Sequence, residues 1–180
     1  WFSAHKIEYL WGADANFGQF NRDLQIADLL IDAKNNTGYP SRMKVNYAKN
    51  NSSNVFELAK RFAEADISKS TTISFQTLSD DALRNVGRKN MNMESFSGLL
   101  HLYRCANIPT YSEVILALPG ETYDSFVRGL GRLIESGQHT FIEIYDCVLL
   151  PNSLLAQKEY RQEFGIKTVR VPYYQYHSEE

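Results

Sequence analysis

Between Ser112 and Thr122 the chain reads SEVILALPGET, which carries a strand, a corner and the start of a helix in one line. Val114, Ile115, Leu116 and Leu118 make an apolar run with a single acid, Glu113. Pro119 and Gly120 stop the run, and Thr122 is a natural N-cap for a helix bearing Phe126, Val127, Leu130 and Leu133. A strand that passes directly into a helix returns over its own sheet, so repeating this unit produces parallel strands joined by crossover helices. Taken alone, the corner needs no function. The same grammar recurs along the chain.

Lys6 to Gly12 predicts a strand that ends in the polar loop ADANFG, followed by a helical stripe of Phe20, Leu24, Ile26, Ala27, Leu30 and Ile31. Arg42 to Tyr47 is a second strand, after which AKNNSSN leads to a helix of Phe56, Leu58, Ala59 and Phe62 with Ser53 or Asn54 as cap. Thr71 to Gln76 is the third. A short helix from Asp80 through Leu83 to Val86 and a longer one from about Glu94 to Ala106 lead to the fourth strand, described above. Thr140 to Leu149 is the fifth, followed by a helix from Leu154 to Phe164 that stops at Gly165. Lys167 to Val171 offers one more short strand. No linker, repeat or low-complexity stretch divides residues 1–180, which predicts a single α/β domain. A complete eight-unit barrel needs about 250 residues. These 180 residues therefore supply either an open sheet or a partial TIM-like (βα) barrel.

Composition removes several function classes. A net charge of -2 and a pI near 6.1 argue against a grip on nucleic acid by bulk electrostatics and leave only a local basic patch open. No apolar run reaches the roughly 20 residues of a membrane span. The start WFSAHKIEYLW lacks the order of a signal peptide, so a cytoplasmic setting is expected. Cys105 and Cys147 are far apart and are expected to be buried, unpaired thiols. His5, His101, His139 and His177 form no metal-binding spacing.

Set in order, WGADANFG, ISFQTLSDDALRNVGRKN, SEVILALPGET and IEIYDCVLLPNSLLA resemble successive segments of the radical S-adenosylmethionine (radical SAM) family, nearest to the branch with an upstream cobalamin-binding domain. The resemblance implies a partial barrel of parallel strands, S-adenosylmethionine (SAM) as cofactor, and a 4Fe-4S cluster held by a CxxxCxxC loop after the first barrel strand. This chain has no such motif. The resemblance therefore implies a fragment with the first strand, the cluster ligands and any cobalamin domain outside it, inactive by itself. In the family, one-electron reduction of the SAM sulfonium starts radical chemistry on the substrate.

Carried over by position, the resemblance places Asp14 and Asn16 near the SAM amino group and Ser74 and Gln76 near its ribose. Glu113 and Ile115 share a strand face, with Ile115 against adenine. Ala117 stands where relatives often have Gly. Lys49 and Arg88 are candidates to neutralise a carboxylate of SAM or of substrate. Three other readings stay open: a methylthiotransferase-type radical SAM enzyme, a non-catalytic α/β binding module, and a barrel hydrolase using Glu113. The last lacks a second carboxylate or a nucleophile-base pair. The expected partner is a small molecule of unread identity, and the unpaired strand edge near Glu8 to Trp11 invites self-association.

Overall fold

Strand and helix alternate through the chain as the apolar runs require, and every strand pairing is parallel. The computed structural model describes residues 1–48 and 53–170, so Lys49, His177 and the aromatic tail fall outside the described residues. The chain divides into two units, Trp1–Asp146 and Cys147–Glu180. The first holds β1 (Tyr9–Trp11), α1 (Asn21–Thr37), β2 (Arg42–Lys44), α2 (Ser53–Glu64), β3 (Thr71–Thr72), α3 (Asp80–Asn85), α4 (Met93–Cys105), β4 (Thr110–Leu116), α5 (Tyr123–Glu135) and β5 (Phe141–Asp146). The second holds a 3₁₀ turn at Leu154–Ala156 and α6 (Lys158–Glu163).

Side-chain caps set the helix starts. The buried carboxylate of Asp23 accepts the N–H groups of Gly18 (2.9 Å) and Phe20 (3.0 Å) at the head of α1. Asn92 Oδ1 accepts from Ser95 N at 2.7 Å to open α4, and Thr122 Oγ1 accepts from Ser125 N at 3.1 Å to open α5. Gly38, in the left-handed region at φ 81°, closes α1 by donating to Lys34 O at 2.7 Å.

Along β3 and its continuation, Thr71, Ile73, Phe75 and Thr77 are buried while Thr72, Ser74 and Gln76 are only half-buried. On β4, Ser112 and Val114 are buried while Tyr111, Glu113 and Ile115 are half-buried. The buried face packs on the helix layer, where Phe75 meets Phe96 of α4 edge to face with ring centroids 4.8 Å apart. Leu58 and Phe62 of α2, Phe96, Tyr103 and Leu133 complete this core. Gln138 locks β4 to β5: it accepts from Ser112 Oγ at 3.2 Å and donates to Thr110 O at 2.9 Å and Phe141 O at 3.2 Å. Such a buried amide is favourable only because its donors and acceptor are met.

Several sequence expectations needed correction. The ladder is not continuous: β1 pairs with β2, and β3, β4 and β5 form a separate sheet in chain order. After Lys44 the chain continues along the β1 side, where Phe17 N bonds Asn46 O (3.0 Å) and Ala48 N bonds Phe17 O (2.9 Å). Between β2 and β3 lies instead a cleft of about 400 Å³ lined by Lys44, Tyr47, Thr72, Tyr111 and Glu143 among others. The β1 strand is Tyr9–Trp11, because residues 2–6 are turn, with His5 N bonded to Trp1 O at 3.1 Å and Lys6 N to Ser3 O at 3.1 Å. Residues 154–164 split into the 3₁₀ turn and α6 at the extended Gln157. Residues 167–170 form no strand.

Candidate functional site

The polar face of the three-stranded sheet brings two of the expected residues into contact. Ser74 Oγ donates to Glu113 Oε2 at 2.7 Å, across neighbouring strands and 39 positions of sequence. Both line a cavity of about 50 Å³ with Asn46, Tyr47, Thr72 and Tyr103. The ladder continues past this pair: Phe75 N donates to Glu113 O at 2.9 Å and Ile115 N to Gln76 O at 2.8 Å. Gln76 and Ile115 therefore follow Ser74 and Glu113 on the same face, nearer the strand ends. Ala117, exposed at φ 64°, ends the row. A non-glycine residue there is strained, and its small side chain leaves the strand end open.

Asp14 and Asn16 stand apart from that row. Asp14 Oδ1 accepts from Asn16 N at 2.8 Å, a local turn that engages one carboxylate oxygen. No hydrogen bond joins these two residues to Ser74, Gln76 or Glu113 among the described residues. Arg88 lies elsewhere: it is exposed and lines a cleft of about 480 Å³ with Phe75, Leu78, Lys89 and Arg132, and so does not meet Glu113.

The sequence reading expected the fifth strand but assigned no site role to its residues or to the Pro-Gly-Glu-Thr corner. Parallel register places Glu143 opposite Glu113 and Tyr145 opposite Ile115, so both extend the polar face. Burial pushes the Tyr145 phenol up, and its hydrogen bond with Glu143 and the charge of Glu113 push it further. Thr77, on the buried face, donates its hydroxyl to Glu121 Oε1 in the Pro-Gly-Glu-Thr corner. Burial raises the pKa of Glu121, an effect that the Thr77 hydrogen bond opposes. The period of β3 was the available signal, because a threonine among Ile73 and Phe75 on a packed face needs a hydrogen-bond partner.

The donor set suits the adenosine part of SAM. A hydroxyl, an amide and a carboxylate supply hydrogen-bonding groups for a diol, and half-buried Ile115 supplies an apolar wall. It does not suit an iron–sulfur cluster. Cys105 and Cys147 are unpaired, and among the described residues no group of three or more His, Cys, Asp or Glu could hold a metal ion. Contrary to expectation, Cys105 is exposed on α4, its Sγ 3.5 Å from His101 Nε2, and Cys147 is half-buried just after β5.

No family model matches the chain. Two curated relatives do. The chain is 40% identical over 169 residues to the cobalamin-dependent radical SAM methyltransferase TokK of Streptomyces tokunonensis. It is 42% identical over 169 residues to 2-(S-pantetheinyl)-carbapenam-3-carboxylate methyltransferase of Streptantibioticus cattleyicolor. Each match covers 94% of this chain and 25% of the relative, so the chain spans about a quarter of their length. Among solved structures, coproporphyrinogen III oxidase (HemN) of Escherichia coli, a radical SAM enzyme, superposes with a TM-score of 0.65 at 17% identity, covering 87% of this chain and 36% of its own. TsrM of Kitasatospora setae, a radical SAM methyltransferase, gives 0.66 at 16% identity, covering 93% and 31%. The fold is a partial TIM-like barrel, as in these radical SAM enzymes, and over 169 residues the chain is similar to a segment of cobalamin-dependent radical SAM methyltransferases.

Proposed function

We propose that this chain is the later part of the SAM-binding barrel of a cobalamin-dependent radical SAM enzyme that transfers a methyl group to a small molecule. The observation that carries the reading is the Ser74–Glu113 hydrogen bond, beside Gln76 at the strand ends of a chain 40% identical to such an enzyme. Glu113, oriented by Ser74, and Gln76 bind the ribose hydroxyls. Ile115 and the short side chain of Ala117 receive adenine, and Asp14 with Asn16 meets the amino group. Bound there, SAM supplies a carbon–sulfur bond that one-electron reduction breaks. The chain's own part is to hold the cofactor at the mouth and keep water from it. Cluster ligands and cobalamin belong to other parts of the parent protein, which works in the cytoplasm without nucleic acid. Among the described residues, no helix is long and apolar enough to cross a membrane.

The test is anaerobic reconstitution of iron and sulfide. The full-length parent assembles a 4Fe-4S cluster and cleaves SAM to methionine and 5′-deoxyadenosine, whereas the 180-residue chain assembles no stoichiometric cluster. A parent that never cleaves SAM removes the catalytic reading and leaves the binding module.

The same reading predicts behaviour of the isolated chain. Among the described residues β1 pairs only with β2, and Tyr9 and Trp11 on it are 56% and 71% exposed. An open edge with exposed aromatics is a template for a second strand. The isolated chain self-associates through β1, and Trp11→Lys shifts it to monomer. Sedimentation of the unaltered chain as a monomer across a wide concentration range rules this out.

A further inference from the structure

We propose that Glu121 is a positioning residue whose hydrogen bond from Thr77 holds the β4 corner against the end of β3 and so sets the width of the adenosine site. The proposal rests on the reading of that mouth as the SAM site. The hydrogen bonds around Thr77 assign the proton. Thr77 is 1% exposed, and its Oγ1 accepts from Ser79 N at 3.0 Å. That leaves its hydroxyl proton for the Glu121 carboxylate, which receives it. Two amides add straps on either side: Asn90 Nδ2 donates to Thr77 O at 2.6 Å, and Asn85 Nδ2 donates to Pro119 O at 3.0 Å. Gly120, at φ 85°, takes a left-handed corner in which an added Cβ would collide with the Asn85 amide, so the corner backbone lies directly against α3.

The clasp stands where the strand ladder ends. Ile115 N to Gln76 O, at 2.8 Å, is the last backbone hydrogen bond between β3 and β4 among the described residues. Beyond it, among the described residues, no main-chain hydrogen bond joins the lip at Ala117 to the segment that follows Gln76. Thr77 follows Gln76 directly, and Glu121 closes the corner that begins at Ala117. The clasp therefore takes over from the ladder at the point where the lips would otherwise part. A rival role for Glu121 is that of an acid stabilising the start of α5 by charge alone. The two roles differ in what they need: the clasp needs an acceptor for the Thr77 hydroxyl, and the dipole needs a negative charge.

The experiment uses the full-length parent with its cluster reconstituted, and reads KM for SAM, kcat, iron content and Tm. Thr77→Val and Glu121→Ala raise KM for SAM about tenfold, the loss expected for one buried hydrogen bond to a carboxylate, with iron content unchanged and kcat moving less. Thr77→Ser and Glu121→Gln, which keep a donor and an acceptor in place, return KM to within about twofold of the parent. A Glu121→Gln variant as impaired as Glu121→Ala supports the dipole and overturns the clasp. Should Glu121→Ala fail to fold, Thr77→Val, which keeps the side-chain shape, decides in its place. If Thr77→Val leaves KM unchanged while Gln76→Ala raises it, the clasp is structural only and the proposal fails with the mouth reading intact. If Gln76→Ala also leaves KM unchanged, the mouth reading fails as well.

Discussion

In the full-length parent, Gln76→Ala and Glu113→Ala each lower SAM cleavage by roughly 10- to 100-fold while iron and sulfide content stay at the parent's level. The magnitude follows from what each change removes. On the proposed reading, either side chain makes one or two hydrogen bonds to a polar ligand group in a partly water-excluded site, and each is worth about 1–3 kcal/mol when its partner is left unmet. The effect of Glu113→Ala is the larger, because it also strands the Ser74 hydroxyl, which now donates to Glu113 Oε2 at 2.7 Å. Ser74→Ala costs less, about 1 kcal/mol, since it frees the orientation of Glu113 without removing the carboxylate. Both positions lie on the half-buried face and away from the Phe75–Phe96 contact, so neither should disturb folding. The assay is anaerobic quantification of 5′-deoxyadenosine and methionine, with iron content measured on the same samples. Two variants that cleave SAM like the parent would show that the sheet face does not hold the cofactor, whatever the family.

Alternation was the legible part of this chain. The period-two pattern in ISFQT and SEVIL assigned faces to Ser74, Gln76, Glu113 and Ile115, and the Ser74–Glu113 hydrogen bond agrees with it. Thr122 and Gly38 act as caps because capping depends on a few neighbouring residues. Less legible was anything that depends on how two remote segments meet. Among the described residues, 42–48 make strand pairings on the β1 side only, through Gly12 and Phe17, and nothing in RMKVNY distinguishes that from a strand that also pairs with β3. Glu121 reads as an ordinary acid before a helix until Thr77, 44 positions earlier, is seen to donate to it. Arg88 had a plausible charge, but the loop between α3 and α4 carries it to a different cleft. Local chemistry is written in neighbouring residues, whereas the pairing of distant segments emerges only from packing.

Phe96→Ala destabilises the 180-residue chain by about 3–5 kcal/mol, and Phe62→Ala by a similar amount. Both rings are fully buried. Phe96 meets Phe75 edge to face at 4.8 Å, and Phe62 stacks on Phe17 at 6.3 Å, so truncation opens a cavity and also ends an aromatic contact. Against a total stability of about 5–15 kcal/mol for a domain, either loss is a large fraction, and at about 2–4 °C per kcal/mol for this size it lowers Tm by roughly 6–20 °C. Leu29→Ala is the control: Leu29 is 69% exposed on α1, and its truncation should stay within about 0.5 kcal/mol. The two core variants differ in their reach. Phe75 lies between Ser74 and Gln76 and presses on Phe96, so loss of the Phe96 ring removes the support behind the strand that carries the proposed cofactor face, whereas loss of Phe62 acts on α2 and the Phe17 loop. Urea titration should therefore show similar midpoints for the two, while SAM affinity in the parent falls further for Phe96→Ala than for Phe62→Ala. Equal SAM affinities at equal loss of stability would mean that the strand holds its shape without the helix behind it, and that the ladder through Glu113 and Ile115 alone positions the site.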